Sequence, residues 1–184
     1  RREPTSFTPV WLMRQAGRYM EEYRKLRAQH DFLELCKRPD LATEITVTPV
    51  EKLKVDAAIL FADILLILEP MGVGLEYSKG DGPVLHHPVR SGKDVDGLKE
   101  FNVATELAYV YESVKKIRKQ LNNKVPLVGF AGAPFTLASY LIEGSGSRNY
   151  VHTKKLCYGA PEAWKRLMER LAKLIGDYLN CQTA

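Results

Sequence analysis

Cysteine is scarce. Cys36, Cys157 and Cys181 lie far apart, in no CxxC and with no Cys/His spacing suited to zinc. A disulfide scaffold and a zinc module are therefore not expected, and the three thiols read as reduced. His86-His87 does not change this, because adjacent side chains on a strand face opposite ways and rarely share an ion. Long apolar runs are also lacking. The longest, residues 57–68, is too short to span a bilayer and is interrupted by Asp63, so no membrane partner is expected. No charged-then-apolar leader opens the sequence, which points to a cytoplasmic protein. Gly129 to Pro134 is glycine-rich, yet it is neither a P-loop nor a GxGxxG. A Ser/His/Asp order, paired acids at helical spacing and a basic stripe interleaved with aromatics are all missing. Those absences argue against a serine hydrolase, a glycosidase and a nucleic-acid partner.

What is present is an ordinary globular composition: 184 residues, 45% hydrophobic and 27% charged, with a net charge of +5. That excess permits an anionic partner without naming one. Val10-Trp11-Leu12-Met13 reads as a short buried strand, and residues 19–29 as a helix with Tyr19, Tyr23 and Leu26 on one stripe. Asp31 is placed to cap a helix over 32–37, and Pro39 to open another reaching about Lys54. Ala57–Phe61 and Pro126–Phe130 read as buried strands. Residues 72–97 suggest one or two short strands with turns. One long helix is expected over 103–121, ended by Asn122-Asn123, with further helices from 134 to 143 and from Pro161 to about Leu179. Apolar strands alternating with helices imply an α/β fold with a parallel sheet, either doubly wound or a (β/α)8 barrel.

Both architectures put active sites at the C-terminal ends of strands, where the unusual residues of this sequence fall. Arg14 and Arg18 flank Gln15-Ala16-Gly17, and two guanidinium forks at a strand mouth make a clamp for carboxylates or phosphates. Gly17 lets the backbone turn sharply or approach a ligand. Arg27 lies further along the same helix, whereas Arg24 and Lys25 read as a solvated face. Asp63 admits two readings. It is either a helix N-cap or arginine partner, or a carboxylate aimed into a cleft to accept N–H donors. Tyr140, in the helix after Pro134, is either core or a hydroxyl in search of a partner.

Three stretches resemble one family. PVWLMRQAGR (9–18) and GFAGAPFTLASYLIEG (129–144) are similar to the two signatures of the uroporphyrinogen decarboxylases, and FADIL (61–65) to their acid-bearing strand. The resemblance implies a (β/α)8 TIM barrel of which residues 1–184 are the N-terminal portion. With Arg1 in first place, the sequence is expected to be part of a chain nearly twice as long. It further implies a homodimer, using no metal or other cofactor, that removes the four acetate carboxyls of uroporphyrinogen III to give coproporphyrinogen III. Arg14 and Arg18 would bind substrate carboxylates, with Gln15, Ala16 and Gly17 lining the pocket and Arg27 adding a contact. Asp63 would accept the pyrrole N–H groups and Tyr140 would touch the substrate near the reacting acetate. Arg14 is also the implied proton donor, although a guanidinium is a poor acid. Two alternatives share the fold: a corrinoid-linked methyltransferase, and an inactive tetrapyrrole-binding remnant.

Overall fold

The computed structural model describes residues 6–78 and 82–184 and is mixed α/β. The chain divides into two compact units, Arg1–Ala62 with Tyr109–Phe130, and Asp63–Ala108 with Ala131–Ala184.

In the first unit, helices α1 (Glu21–Gln29), α2 (Phe32–Lys37) and α3 (Pro39–Leu53) precede strand β1 (Ala58–Ile59). Asp31 caps α2 as its position implies, its carboxylate accepting the Glu34 amide at 2.7 Å. Pro39 opens α3, and the helix runs on through Pro49. Leu35, Leu41 and Ile45 form a buried cluster, with Ala16, Tyr23, Leu26 and Phe61 packed against it. The Phe61 ring meets Tyr23 and Phe32 edge-on, at 5.8 and 5.9 Å between centroids. Buried Thr46 joins helix to strand, its hydroxyl donating to the Ala42 carbonyl and accepting the Phe61 amide.

β1 pairs in parallel with β4 (Leu127–Val128), in the register Ala58↔Leu127 and Ile59↔Val128. The α/β parallel pairing read from the sequence is present here, but both residues of β4 are only half-buried. Val10–Met13 departs from expectation altogether. It forms no strand, and its four side chains are exposed, Met13 by 80%. Its one ladder-like contact is the Asp56 amide donating to the Val10 carbonyl at 2.9 Å. Apolar sequence supplies a reason to be buried, while burial itself needs a partner surface, and these residues lack one among those described. From Tyr109 on, α6 (Ala108–Leu121) completes the unit, burying Val110, Ser113, Ile117 and Leu121.

The second unit begins with a 3-10 turn, Leu66–Met71, followed by an antiparallel hairpin of β2 (Leu75–Ser78) and β3 (Gly82–Leu85). Strands were expected in this stretch. The turn joining them, residues 79–81, lies outside the described residues. Helix α4 (Gly92–Asp96) was not foreseen. The single helix expected over 103–121 is two, because α5 (Val103–Glu106) ends at Leu107, which leaves helical geometry while fully buried. Helices α7 (Pro134–Glu143), α8 (Val151–Gly159) and α9 (Pro161–Thr183) pack on one another, with Leu137, Leu141, Ile142, Leu167 and Leu171 inside. α8 was likewise missed, being only weakly amphipathic.

Candidate active site

Residues 9–20, which hold the two arginines, are turns and extended chain, so their shape depends on side-chain anchors. Gln15 is the chief anchor. It is buried, its amide nitrogen donates to the Ala57 carbonyl at 3.0 Å, and its oxygen accepts the Leu12 amide at 3.3 Å. Tyr19 donates from its hydroxyl to the Gln15 carbonyl. A Cβ at Gly17 would lie 3.3 Å from the Arg14 carbonyl and 3.4 Å from the Tyr19 ring, tighter than most side chains tolerate. Glycine is needed there because the segment folds onto itself.

Arg14 and Arg18 emerge on either side of this knot, both exposed. Among the described residues neither guanidinium has an acidic partner, so both are open to an incoming anion. Arg27 differs. It is half-buried, donates to the His30 carbonyl at 2.7 Å and interacts with the Tyr23 hydroxyl. Ala16 packs on the apolar cluster of this unit.

Asp63 and Tyr140 belong to the second unit. Asp63 follows β1 in the chain and precedes the 3-10 turn, and one carboxylate oxygen accepts the Leu65 amide at 2.8 Å. This is a local Asx-type bond and not a helix N-cap, since Leu65 is the residue that precedes the 3-10 turn, and it leaves the second oxygen for other partners. Burial pushes the Asp63 carboxyl above its usual value, while the Tyr77 hydroxyl and the Leu65 amide pull the other way. Beside it, Gly132 is indispensable: a Cβ there would come within 2.7 Å of Leu137 Cδ2 and 3.2 Å of Ile64 Cβ. The backbone after β4 therefore runs close against the residue next to Asp63.

Tyr140 is half-buried and lines a cleft of about 170 Å3 beside α7. Asp63 is not among the residues lining this cleft. Two neighbours escaped the sequence reading. Tyr77 was legible in principle, since alternation along β2 puts Leu75 and Tyr77 on one face and Glu76, paired with His86 at 2.7 Å, on the other. The hydroxyl residues around Tyr140 carry no sequence signal of their own. Among the described residues no group of three His, Cys, Asp or Glu side chains is placed to hold a metal ion. No helix there is long and apolar enough to cross a membrane.

Sequence comparisons bear on the family, and a comparison with solved structures bears on the fold. The profile of the family described as uroporphyrinogen decarboxylase (URO-D) matches residues 1–184. A uroporphyrinogen decarboxylase of Carboxydothermus hydrogenoformans is 54% identical over 184 residues, which is all of this chain and 53% of the relative. One from Solibacter usitatus is likewise 54% identical over the same span, again 53% of its length. The chain spans about half the length of the curated relatives it matches. Among solved structures, a methyltransferase from Methanosarcina mazei superposes with a TM-score of 0.67 at 19% identity, covering 82% of this chain and 44% of that one. At that identity the likeness concerns fold alone. A family profile that matches residues 1–184, with relatives 54% identical over all of this chain, leaves one conclusion: the chain belongs to the uroporphyrinogen decarboxylase family.

Proposed function

We propose that the intact protein removes the four acetate carboxyls of uroporphyrinogen III, leaving methyl groups and giving coproporphyrinogen III. An identity of 54% to uroporphyrinogen decarboxylases over all of this chain, and about half of theirs, is the observation that carries this reading. Residues 1–184 then form the N-terminal portion of one (β/α)8 barrel domain in a cytoplasmic homodimer that needs no metal or other cofactor. The parallel β1–β4 pair and the helices that alternate with strands support that architecture.

The chemistry follows from the residues. The substrate carries eight carboxylates, and Arg14 and Arg18 offer two exposed guanidiniums without acidic partners to receive them. Gln15, Ala16 and Gly17 shape the wall between, and Arg27 adds a more distant positive charge. Protonation of a pyrrole carbon turns the ring into a cation that accepts the electron pair released as the acetate C–C bond breaks. CO2 leaves, the remaining methylene takes up a proton to complete the methyl group, and the ring carbon gives back the proton it first received, so that each carboxylate lost consumes one proton. Asp63, ionised beneath that cation, stabilises charge where it develops, and its burial strengthens the effect by excluding water. Tyr140 contacts the substrate near the reacting acetate. Arg14 is the assigned proton donor, which requires its bound state to lower the barrier that a guanidinium otherwise imposes.

The test is direct. The intact protein is mixed with uroporphyrinogen III under reducing, dark conditions and the products are separated by carboxyl number. Stepwise loss ending at four carboxyls supports the proposal. Unchanged substrate at full occupancy of a folded protein overturns it and returns the remnant reading.

A further inference from the structure

The cleft beside Tyr140 has a chemistry of its own. Thr136, Ser139, Tyr140, Ser145, Ser147 and Tyr150 all line it, and every one carries a hydroxyl. Ser139 is spent, donating to the Phe135 carbonyl at 2.7 Å. Ser147 accepts the Tyr150 amide at 3.0 Å, which leaves its own proton free to donate. Ser145 reaches only the Gly146 carbonyl, at 3.5 Å. The hydroxyls of Thr136, Tyr140 and Tyr150 have no hydrogen-bond partner among the described residues.

No acid lines the cleft. Glu143, close by in sequence, is turned away, with its Oε1 held at 2.8 Å by both the amide and the hydroxyl of Thr153. Arg148, next to Ser147, is exposed and has no ion pair among the described residues. Tyr150 holds a left-handed backbone, φ 51°, a conformation that non-glycine residues keep chiefly where a site over-determines them. Unspent O–H donors and the lack of a competing carboxylate together suit an oxyanion. Size narrows the choice. At about 170 Å3 the cleft is smaller than the roughly 300 Å3 at which pockets begin to take drug-sized ligands, which suits a short acid arm better than a macrocycle.

We infer that this cleft is a carboxylate pocket for one peripheral acid arm of the substrate, with Thr136, Ser147 and Tyr150 as its donors. The identity of the arm rests on the decarboxylase reading, whereas the anion preference of the pocket does not. Two experiments separate them. In the first, backbone amide NMR shifts of the intact protein are followed during titration with glutarate and, separately, inorganic phosphate. Glutarate is expected to move the amides of residues 145–150, and Ser147→Ala to weaken that response about fivefold, as befits one hydrogen bond. Silence with both anions overturns the pocket, and a response to phosphate alone overturns the carboxylate assignment. In the second, the intact protein carrying Thr136→Val and Ser147→Ala is assayed with uroporphyrinogen III. KM is expected to rise about tenfold or more with kcat within about twofold, the pattern of lost ground-state binding. An unchanged KM overturns the link between pocket and substrate, while a wild-type protein without activity sinks the decarboxylase reading and leaves the titration to judge the pocket alone.

Discussion

Arg14 and Arg18 stand exposed on a segment with neither helix nor strand, while Asp63 is drawn into the second unit until burial raises its pKa. The cations stand in solvent, and under the proposed function they would lose part of it only when an anion arrives. The carboxylate is desolvated in advance, with the Leu65 amide donating to it at 2.8 Å and the Tyr77 hydroxyl acting to lower its pKa. Capture and chemistry thus place opposite demands on charge. A guanidinium that steers a polyanion works best in water, whereas an acid that stabilises a developing cation works best without it.

The largest expected effect tests the acid. Asp63→Ala in the intact protein should lower kcat by about 10²–10³-fold, the usual cost of removing one preorganised electrostatic contact, with a much smaller change in KM. A loss confined to KM would move Asp63 from the chemistry to the clamp. Gln15→Ala comes next and acts on the other region. It strands the buried Ala57 carbonyl and frees Leu12, so chemical denaturation should report a loss of about 1–3 kcal/mol. A stability unchanged within error would mean that the segment is held by something else.

Tyr77→Phe probes pH. Removing the hydroxyl takes away an interaction that lowers the Asp63 pKa, so the pKa rises further and the acid limb of kcat/KM moves to higher pH. Stability follows with a definite sign. Because the folded pKa lies above the ordinary 3.8, the folded state binds the extra proton. The contribution of Asp63 is therefore full below 3.8 and is lost as pH rises through the folded value, a window that Tyr77→Phe extends upward. A limb that moves to lower pH would contradict the contact. Arg27→Ala is the mildest, since its guanidinium is already occupied by the His30 carbonyl. KM for uroporphyrinogen III should rise by no more than about threefold, less than for Arg14→Ala or Arg18→Ala.

Helix ends were the most legible part of the fold. Asp31, Pro39, Asn122, Asn123, Pro134 and Pro161 each mark a boundary through purely local backbone chemistry, and each marks it in the structure. Val10–Met13 was misread because continuous apolar sequence carries no information about which surface will cover it. Leu107 was misread because it continues the helical stripe while the chain breaks around it. Within the candidate site, Arg14, Arg18 and Asp63 were legible as residue types at strand ends. Gln15 as an anchor, and Tyr77 as the neighbour of Asp63, were not, since both roles depend on contacts over 42 and 14 residues of chain.

Gln15 is neutral, and that decides how the clamp answers to ionic strength. An amide hydrogen-bonded to two peptide groups contains no charge for dissolved ions to screen, unlike the Asp56 carboxylate that receives the Val10 amide and the Arg24 guanidinium that donates to the Arg18 and Tyr19 carbonyls. The attraction between the two guanidiniums and a distant polyanion is screened within about 10 Å at 0.1 M salt and about 3 Å at 1 M. Under the proposed function, salt is expected to slow the arrival of a polycarboxylate while leaving the contacts of Gln15 itself in place.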